Sequence, residues 1–300
     1  MTSEELLQKV RKIEIKTHGL SRNIFAGEYH SQFKGRGMAF SEVREYQPGD
    51  DVRSIDWNVT ARMNRPYIKV YEEERELTVM LLVDVSGSRN FGTVSQMKRD
   101  TMAEVAATLA FSTIENNDKV GVIFFSDRVE KFIPPKKGKS HVLHIIRELL
   151  SFEPEHHGTD INAALQFLTN AQKRRCAAFL ISDLMDPKLS DQVTKYNVQR
   201  NTSVAPVVIA SRKHDLNAIQ IYDRRDAELP NVGLLKLRDP ETGARVWADT
   251  SLASVRNAYG QAWRDQQAAL ETVYTKTGMH NISVRTDEDY VKKLMQLFHN

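Results

Sequence analysis

The chain has 300 residues, 41% hydrophobic and 27% charged, and its 42 basic and 39 acidic side chains leave a net charge of +3. Such a composition builds its own core, and it excludes a disordered or low-complexity chain and a nucleic-acid binder driven by bulk charge. The single cysteine, Cys176, excludes an internal disulfide and fits a reducing compartment, so a cytoplasmic setting is expected.

The opening MTSEELLQKV carries acids and no apolar core, and reads as no signal peptide. No stretch approaches the ~20 apolar residues of a membrane span. The spacing predicts a helix over 4–17, where Leu6, Leu7, Val10 and Ile13 share a face, Ser3 is available as a cap and Gly19 stops it. Residues 20–76 are punctuated by Gly27, Gly35, Gly37 and Gly49, with mixed charges around Phe40, Tyr46 and Trp57. They read as short strands and irregular loops forming an antiparallel lobe.

From residue 77 the rhythm becomes β–α–β–α. Leu77–Val83, Val120–Phe125, Cys176–Ile181 and Val204–Ala210 are apolar runs, as expected of strands buried on both faces. Val129–Ile133 reads as an antiparallel neighbour of the second. Helices are predicted over 96–114, 142–150 and 161–171. Residues 230–250 read as a hairpin turning at Asp239-Pro240-Glu241-Thr242-Gly243, and 252–275 as a long amphipathic helix. Asn281–Val284 is a last strand, and Thr286 or Asp287 caps a closing helix that carries Tyr290, Leu294 and Phe298. The expected fold is therefore α/β: a doubly wound, mostly parallel sheet over 77–300, interrupted by an insertion of about 211–277 (hairpin plus long helix) and preceded by a β-rich lobe over 1–76.

In such sheets ligands bind at the carboxyl ends of the strands. Three of those ends are rich in oxygen: Asp84-Val85-Ser86-Gly87-Ser88, Gly158-Thr159-Asp160 before the helix at 161, and Ser182-Asp183. Hydroxyls of Ser86, Ser88 and Thr159 are neutral ligands for a hard cation such as Mg²⁺ or Mn²⁺. Asp84 and Asp183 would hold waters and orient those hydroxyls. An ion so ligated is weakly bound and under-neutralised, and seeks an acidic group from a partner.

This ordered trio resembles the metal-ion-dependent adhesion site of von Willebrand factor type A domains, over roughly 77–210 and 280–300. That resemblance implies metal-site residues Asp84, Ser86, Ser88, Thr159 and Asp183. Arg89 stands where the family often has an uncharged residue. Arg89 and Asp160, at the same edge, are the candidates for touching a partner.

A dense block ahead of the first strand narrows the family: Gly35-Arg36-Gly37-Met38-Ala39-Phe40, Arg44-Glu45-Tyr46, Gly49-Asp50-Asp51-Val52-Arg53-Ser54-Ile55-Asp56-Trp57 and Ala61-Arg62. It resembles the bacterial domain of unknown function 58 family, whose members join this block to a type A core. The resemblance implies an adaptor or co-chaperone working with a MoxR-type AAA+ ATPase or its client. Physically, Arg44, Arg53 and Arg62 among Glu42, Glu45, Asp50, Asp51 and Asp56 read as a charge network interlocking an irregular lobe, with a recognition surface as the alternative.

The chain is expected not to be an enzyme. The alternative is a metal-dependent phosphohydrolase with Asp84 as nucleophile, but the position two residues on, where such enzymes carry a second Asp, is Ser86. There is no G-x-x-x-x-G-K-[ST], G-x-S-x-G or H-E-x-x-H. His156 and His157, and His141 and His144, lack further zinc ligands. The short basic clusters at Lys136, Lys137, Lys139, Arg174-Arg175 and Arg224-Arg225 have no interleaved aromatics and read as solvated surface.

Overall fold

A computed structural model describes residues 38–73, 77–93, 96–186, 188–189 and 205–299. The helix expected over 4–17 and the start of the signature block lie outside the described residues. The described residues up to Leu77 fall in one compact unit and those from Thr78 onward in another.

In the first unit, strands β1 (Met38–Glu45) and β2 (Tyr67–Glu73) pair antiparallel, with a register shift between Phe40 and Glu42. A 3₁₀ turn (Val52–Ser54) and helix α1 (Trp57–Met63) connect them. Asp56 starts α1 because its carboxylate accepts from the amides of Asn58 and Val59, and Asn64 ends it in the left-handed region at φ 53°. Part of the expected charge network is present. Arg44 grips Asp50 with two parallel bonds of 2.9 and 2.7 Å, and the Gln47 amide donates to the same carboxylate. Trp57, one of the aromatics around which the charges were expected to interlock, is 70% exposed.

The second unit is built on a six-stranded sheet: β3 (Thr78–Asp84), β4 (Lys119–Phe125), β5 (Val129–Lys136), β6 (Ala177–Ser182), β7 (Asp215–Tyr222) and β10 (His280–Arg285). Their spatial order is β10-β7-β6-β3-β4-β5. All neighbours run parallel except β4 and β5. The antiparallel edge strand β5 continues through Pro134 and Pro135, which an edge tolerates because one side of the ladder needs no donor. The doubly wound, mostly parallel sheet expected from the sequence is therefore present.

Side chains alternate across the sheet with the two-residue period of a strand. Met80 and Leu82 face a core shared with α4 (Ile161–Ala171), α5 (Pro206–Lys213) and the long α7 (Ala253–Thr277). Helices α2 (Lys98–Glu115), α3 (Lys139–Ser151) and α8 (Tyr290–His299) complete the unit, and Phe298 of α8 meets Phe179 of β6 edge-on at 5.9 Å. Asp289, rather than Thr286 or Asp287, holds the start of α8, accepting from the Val291 amide at 3.1 Å.

One strand expectation is overturned. Residues 204–210 were expected as a strand from the run Val207-Val208-Ile209, yet 206–213 is a helix. Pro206 presets its first turn, and Arg212 and Lys213 sit at its negative end. The sheet strand is the next segment, β7, whose buried Asn217 and Gln220 break the apolar run. The decoration expected over 211–277 therefore begins after β7. It comprises the short α6 (Arg224–Ala227), the hairpin β8 (Leu234–Arg238) and β9 (Arg245–Asp249), and α7, the crossover that returns the chain to β10 beside β7.

Candidate functional site

Strand order reverses at β3: the chain moves outward to β4 on one side and later returns to β6 on the other. This switch point opens a crevice at the carboxyl ends of β3 and β6. Val83 pairs with Ile181, so the residues that follow, Asp84 and Ser182, leave the sheet side by side. The Ser182 hydroxyl donates to Asp84 Oδ2 at 2.6 Å, and the Ser86 amide donates to Asp84 Oδ1 at 2.9 Å. Both carboxylate oxygens are thus engaged, and the residue is 1% exposed. Burial, and then the neighbouring Asp183, raise its pKa above the usual carboxylate range.

After Val85 the chain turns through a 3₁₀ segment, Gly87–Asn90, which brings the hydroxyls of Ser86 and Ser88 to 3.1 Å from each other. The Gly87 amide donates to the His157 carbonyl at 2.9 Å, tying this turn to the loop that carries Thr159. That loop is fixed from beneath by Glu130, whose carboxylate accepts from the Ser126 hydroxyl and from the amides of His156 and Glu155. Asp186, buried, accepts from the Ile161 and Lys188 amides and holds the start of α4.

Asp183 is 2% exposed, and the residue after it, Leu184, sits in the left-handed region at φ 58°, costly for a bulky side chain. Two bonds hold this turn: the Leu184 amide donates to Ser182 Oγ, and Gln266 donates to the Leu184 carbonyl. Lys98, at the start of α2, reaches Asp183 at 2.9 Å and Asp226 at 3.2 Å. Burial opposes ionisation of Asp183, but the Lys98 ammonium, aided by the Ser88 hydroxyl, holds it below the usual carboxylate range. Burial likewise opposes the charge on Lys98, yet Asp183 and Asp226 outweigh it and carry its pKa up to about 12.

The structure brings Asp84, Ser86, Ser88 and Asp183 into one buried cluster. Thr159 comes to the same edge but donates its hydroxyl to Glu241 of the β8–β9 hairpin at 2.5 Å. The two expected partner-facing residues are placed otherwise. Arg89 is 6% exposed and turned inward, donating from Nη2 to the Phe152 carbonyl at 2.8 Å. Asp160 caps α4 through the Ala163 amide and pairs with Lys188 at 2.9 Å. Lys98, Asp226 and Glu241 were missed, and Ser182, noted at its strand end, was given no role. A lone Lys in a charged helix start and a Glu in a polar turn give no sequence signal, because only the tertiary fold brings them here.

The donor set is all oxygen, neutral hydroxyls backed by buried carboxylates, which fits a hard divalent cation such as Mg²⁺ or Mn²⁺. Among the described residues no three His, Cys, Asp or Glu side chains form a metal-ligating group. Ser86, Ser88 and Thr159 are the residues that would hold such an ion, with Asp84 and Asp183 behind them. His141 gives its Nε2 to the Val120 carbonyl at 2.9 Å, a structural role.

The family profile described as "Protein of unknown function DUF58" matches residues 42–269. The chain belongs to the DUF58 family. Uncharacterized proteins of Mycobacterium bovis (Mb1516) and Mycobacterium tuberculosis (Rv1480) are each 29% identical to it over 295 residues, covering 97% of this chain and 88% of theirs. Among solved structures, the conserved hypothetical protein BatB of Bacteroides thetaiotaomicron aligns with a TM-score of 0.48 at 16% identity, over 74% of this DUF58 chain and 97% of BatB. The SpRpn10 VWA domain aligns at 0.40 and 10% identity, over 74% of this chain and 93% of that domain.

Proposed function

We propose that this DUF58 protein is a non-enzymatic interaction module that engages a protein partner through a divalent cation, Mg²⁺ or Mn²⁺, held at the switch-point edge by Ser86, Ser88 and Thr159. The observation that carries this reading is the Ser86–Ser88 hydroxyl pair, 3.1 Å apart between the buried carboxylates of Asp84 and Asp183. Neutral first ligands leave the ion most of its charge, and a carboxylate from another protein is the natural complement. The state of Asp84 supports a binding role over a catalytic one. Both its oxygens accept hydrogen bonds and it is buried, so it is poorly presented as a nucleophile.

The partner we assign is a MoxR-type AAA+ ATPase or its client, with this chain as adaptor or co-chaperone. That half of the proposal rests on the family resemblance, and the requirement for an ion rests on the site. The affinity of the chain for a purified MoxR-type ATPase, measured in Mg²⁺ and again in EDTA, tests both halves. Chelation and Ser86→Ala should each weaken binding at least about tenfold. A complex indifferent to both would overturn the ion-bridged reading, and no complex at all would overturn the choice of partner.

A further inference from the structure

The tip of the β8–β9 hairpin is seated on the proposed cation site. Its turn is braced internally: the Asp239 carboxylate accepts from the Glu241 amide at 2.9 Å and from the Thr242 hydroxyl at 2.5 Å. The Asp239 amide donates to the Ala244 carbonyl, and Gly243 takes φ 72° to close the loop. At the other end, Thr250 bonds to Gly233 and Val232 and fixes the hairpin's base. Glu241 therefore projects from a turn of fixed shape.

Two contacts show where that turn rests. The Pro240 carbonyl lies so close to Gly87 that a Cβ there would stand 2.3 Å from the carbonyl oxygen. Glu241 Oε1 accepts the Thr159 hydroxyl at 2.5 Å. A half-buried carboxylate thus stands on one of the three proposed ligands, beside the turn that carries the other two.

We infer that Glu241 is an internal carboxylate ligand of the cation site, and that a partner's acidic group gains the ion by displacing the hairpin tip. The inference rests on the cation-site reading and adds the regulation of that same site. An ion held by three hydroxyls is completed by a carboxylate, and the chain supplies one. The resting protein is then closed, and its selectivity lies in which partners outcompete Glu241. The exposed arginines that flank the turn, Arg238 and Arg245, report its position through their susceptibility to trypsin.

The test is titration with Mn²⁺ alone, by calorimetry, of the wild type, Glu241→Gln and Ser86→Ala, together with trypsin cleavage after Arg238 and Arg245 with and without Mn²⁺. Circular dichroism establishes that each variant is folded, and Glu241→Asp stands in if Gln disturbs the turn. The expected result is Mn²⁺ affinity about tenfold weaker in Glu241→Gln and lost in Ser86→Ala, with Mn²⁺ slowing cleavage in the wild type but not in Glu241→Gln. Equal affinity and equal protection in wild type and Glu241→Gln, with binding still lost in Ser86→Ala, would overturn the internal ligand while leaving the cation site standing. No Mn²⁺ binding by the wild type would overturn both.

Discussion

Lys98 makes the most consequential contact that the sequence did not announce. Its side chain is 3% exposed and its ammonium spans Asp183 and Asp226, with the Phe91 ring 5.7 Å away. Read linearly, it is one of several charges at the start of an amphipathic helix, where a solvated lysine is the rule. The fold places it there from a distance no linear reading spans: Thr93, a few residues ahead of the helix, is pinned to the end of β7, where Asp223 accepts from its amide and hydroxyl. Removing one member of a buried ion pair leaves the other charge desolvated and alone. Lys98→Met is therefore expected to destabilise the fold by about 3–5 kcal/mol, read as a shift in the urea unfolding midpoint. A loss below about 1 kcal/mol would contradict the view that Asp183 is neutralised from within. Asp84, Ser86 and Ser88 were legible because three oxygen-bearing residues in five, directly after a doubly apolar strand, have few bland explanations. The direction of Arg89 was not legible because a sequence gives adjacency but not orientation: its side chain turns back into the fold toward the Phe152 carbonyl.

Strands and helices were legible in proportion to their periodicity. The fully buried strands β3, β4 and β6 stand where their apolar runs placed them, and α4 starts and ends at the expected residues. Residues 206–213 were misread because Val207-Val208-Ile209 imitates a short buried strand, while the helix depends on Pro206 at its first position and on packing against α4 and α7. The true strand, β7, was hidden by Asn217 and Gln220, whose side chains are served locally: Asn217 Nδ2 donates to the Asp215 carbonyl, and Gln220 Nε2 to the Asp183 carbonyl. The hairpin was expected as a hairpin, but its destination was not visible. Gly87→Ala tests that destination. The backbone at 87 does not need the left-handed region, so the new methyl acts chiefly by colliding with the Pro240 carbonyl. Either the tip or the 86–88 turn must shift, at a cost of about 1–3 kcal/mol. Trypsin cleavage after Arg238 and Arg245 should accelerate several-fold in this variant. Unchanged cleavage and unchanged stability together would show that the tip does not rest there.

On the scale of the whole chain, the family profile covers the lobe's signature from residue 42 onward and most of the α/β unit, through residue 269. Among the described residues no helix is long and apolar enough to cross a membrane. The α/β unit uses its sheet as a frame: Asp84, Ser86, Ser88 and Asp183 follow directly from the ends of β3 and β6, and Thr159 lies on the loop that Glu130 holds. Fold class was readable because alternating apolar runs and amphipathic helices constrain topology strongly. The completed site was not, because Glu241 and Lys98 reach it from segments remote in sequence. Whether this frame holds a divalent cation on hydroxyl ligands is decided by Mn²⁺ binding, measured by calorimetry on the wild type and on Ser86→Ala. One weakly bound ion is expected in the wild type and none in Ser86→Ala, whose fold persists; equal binding by both proteins, or none by either, would rule the cation site out.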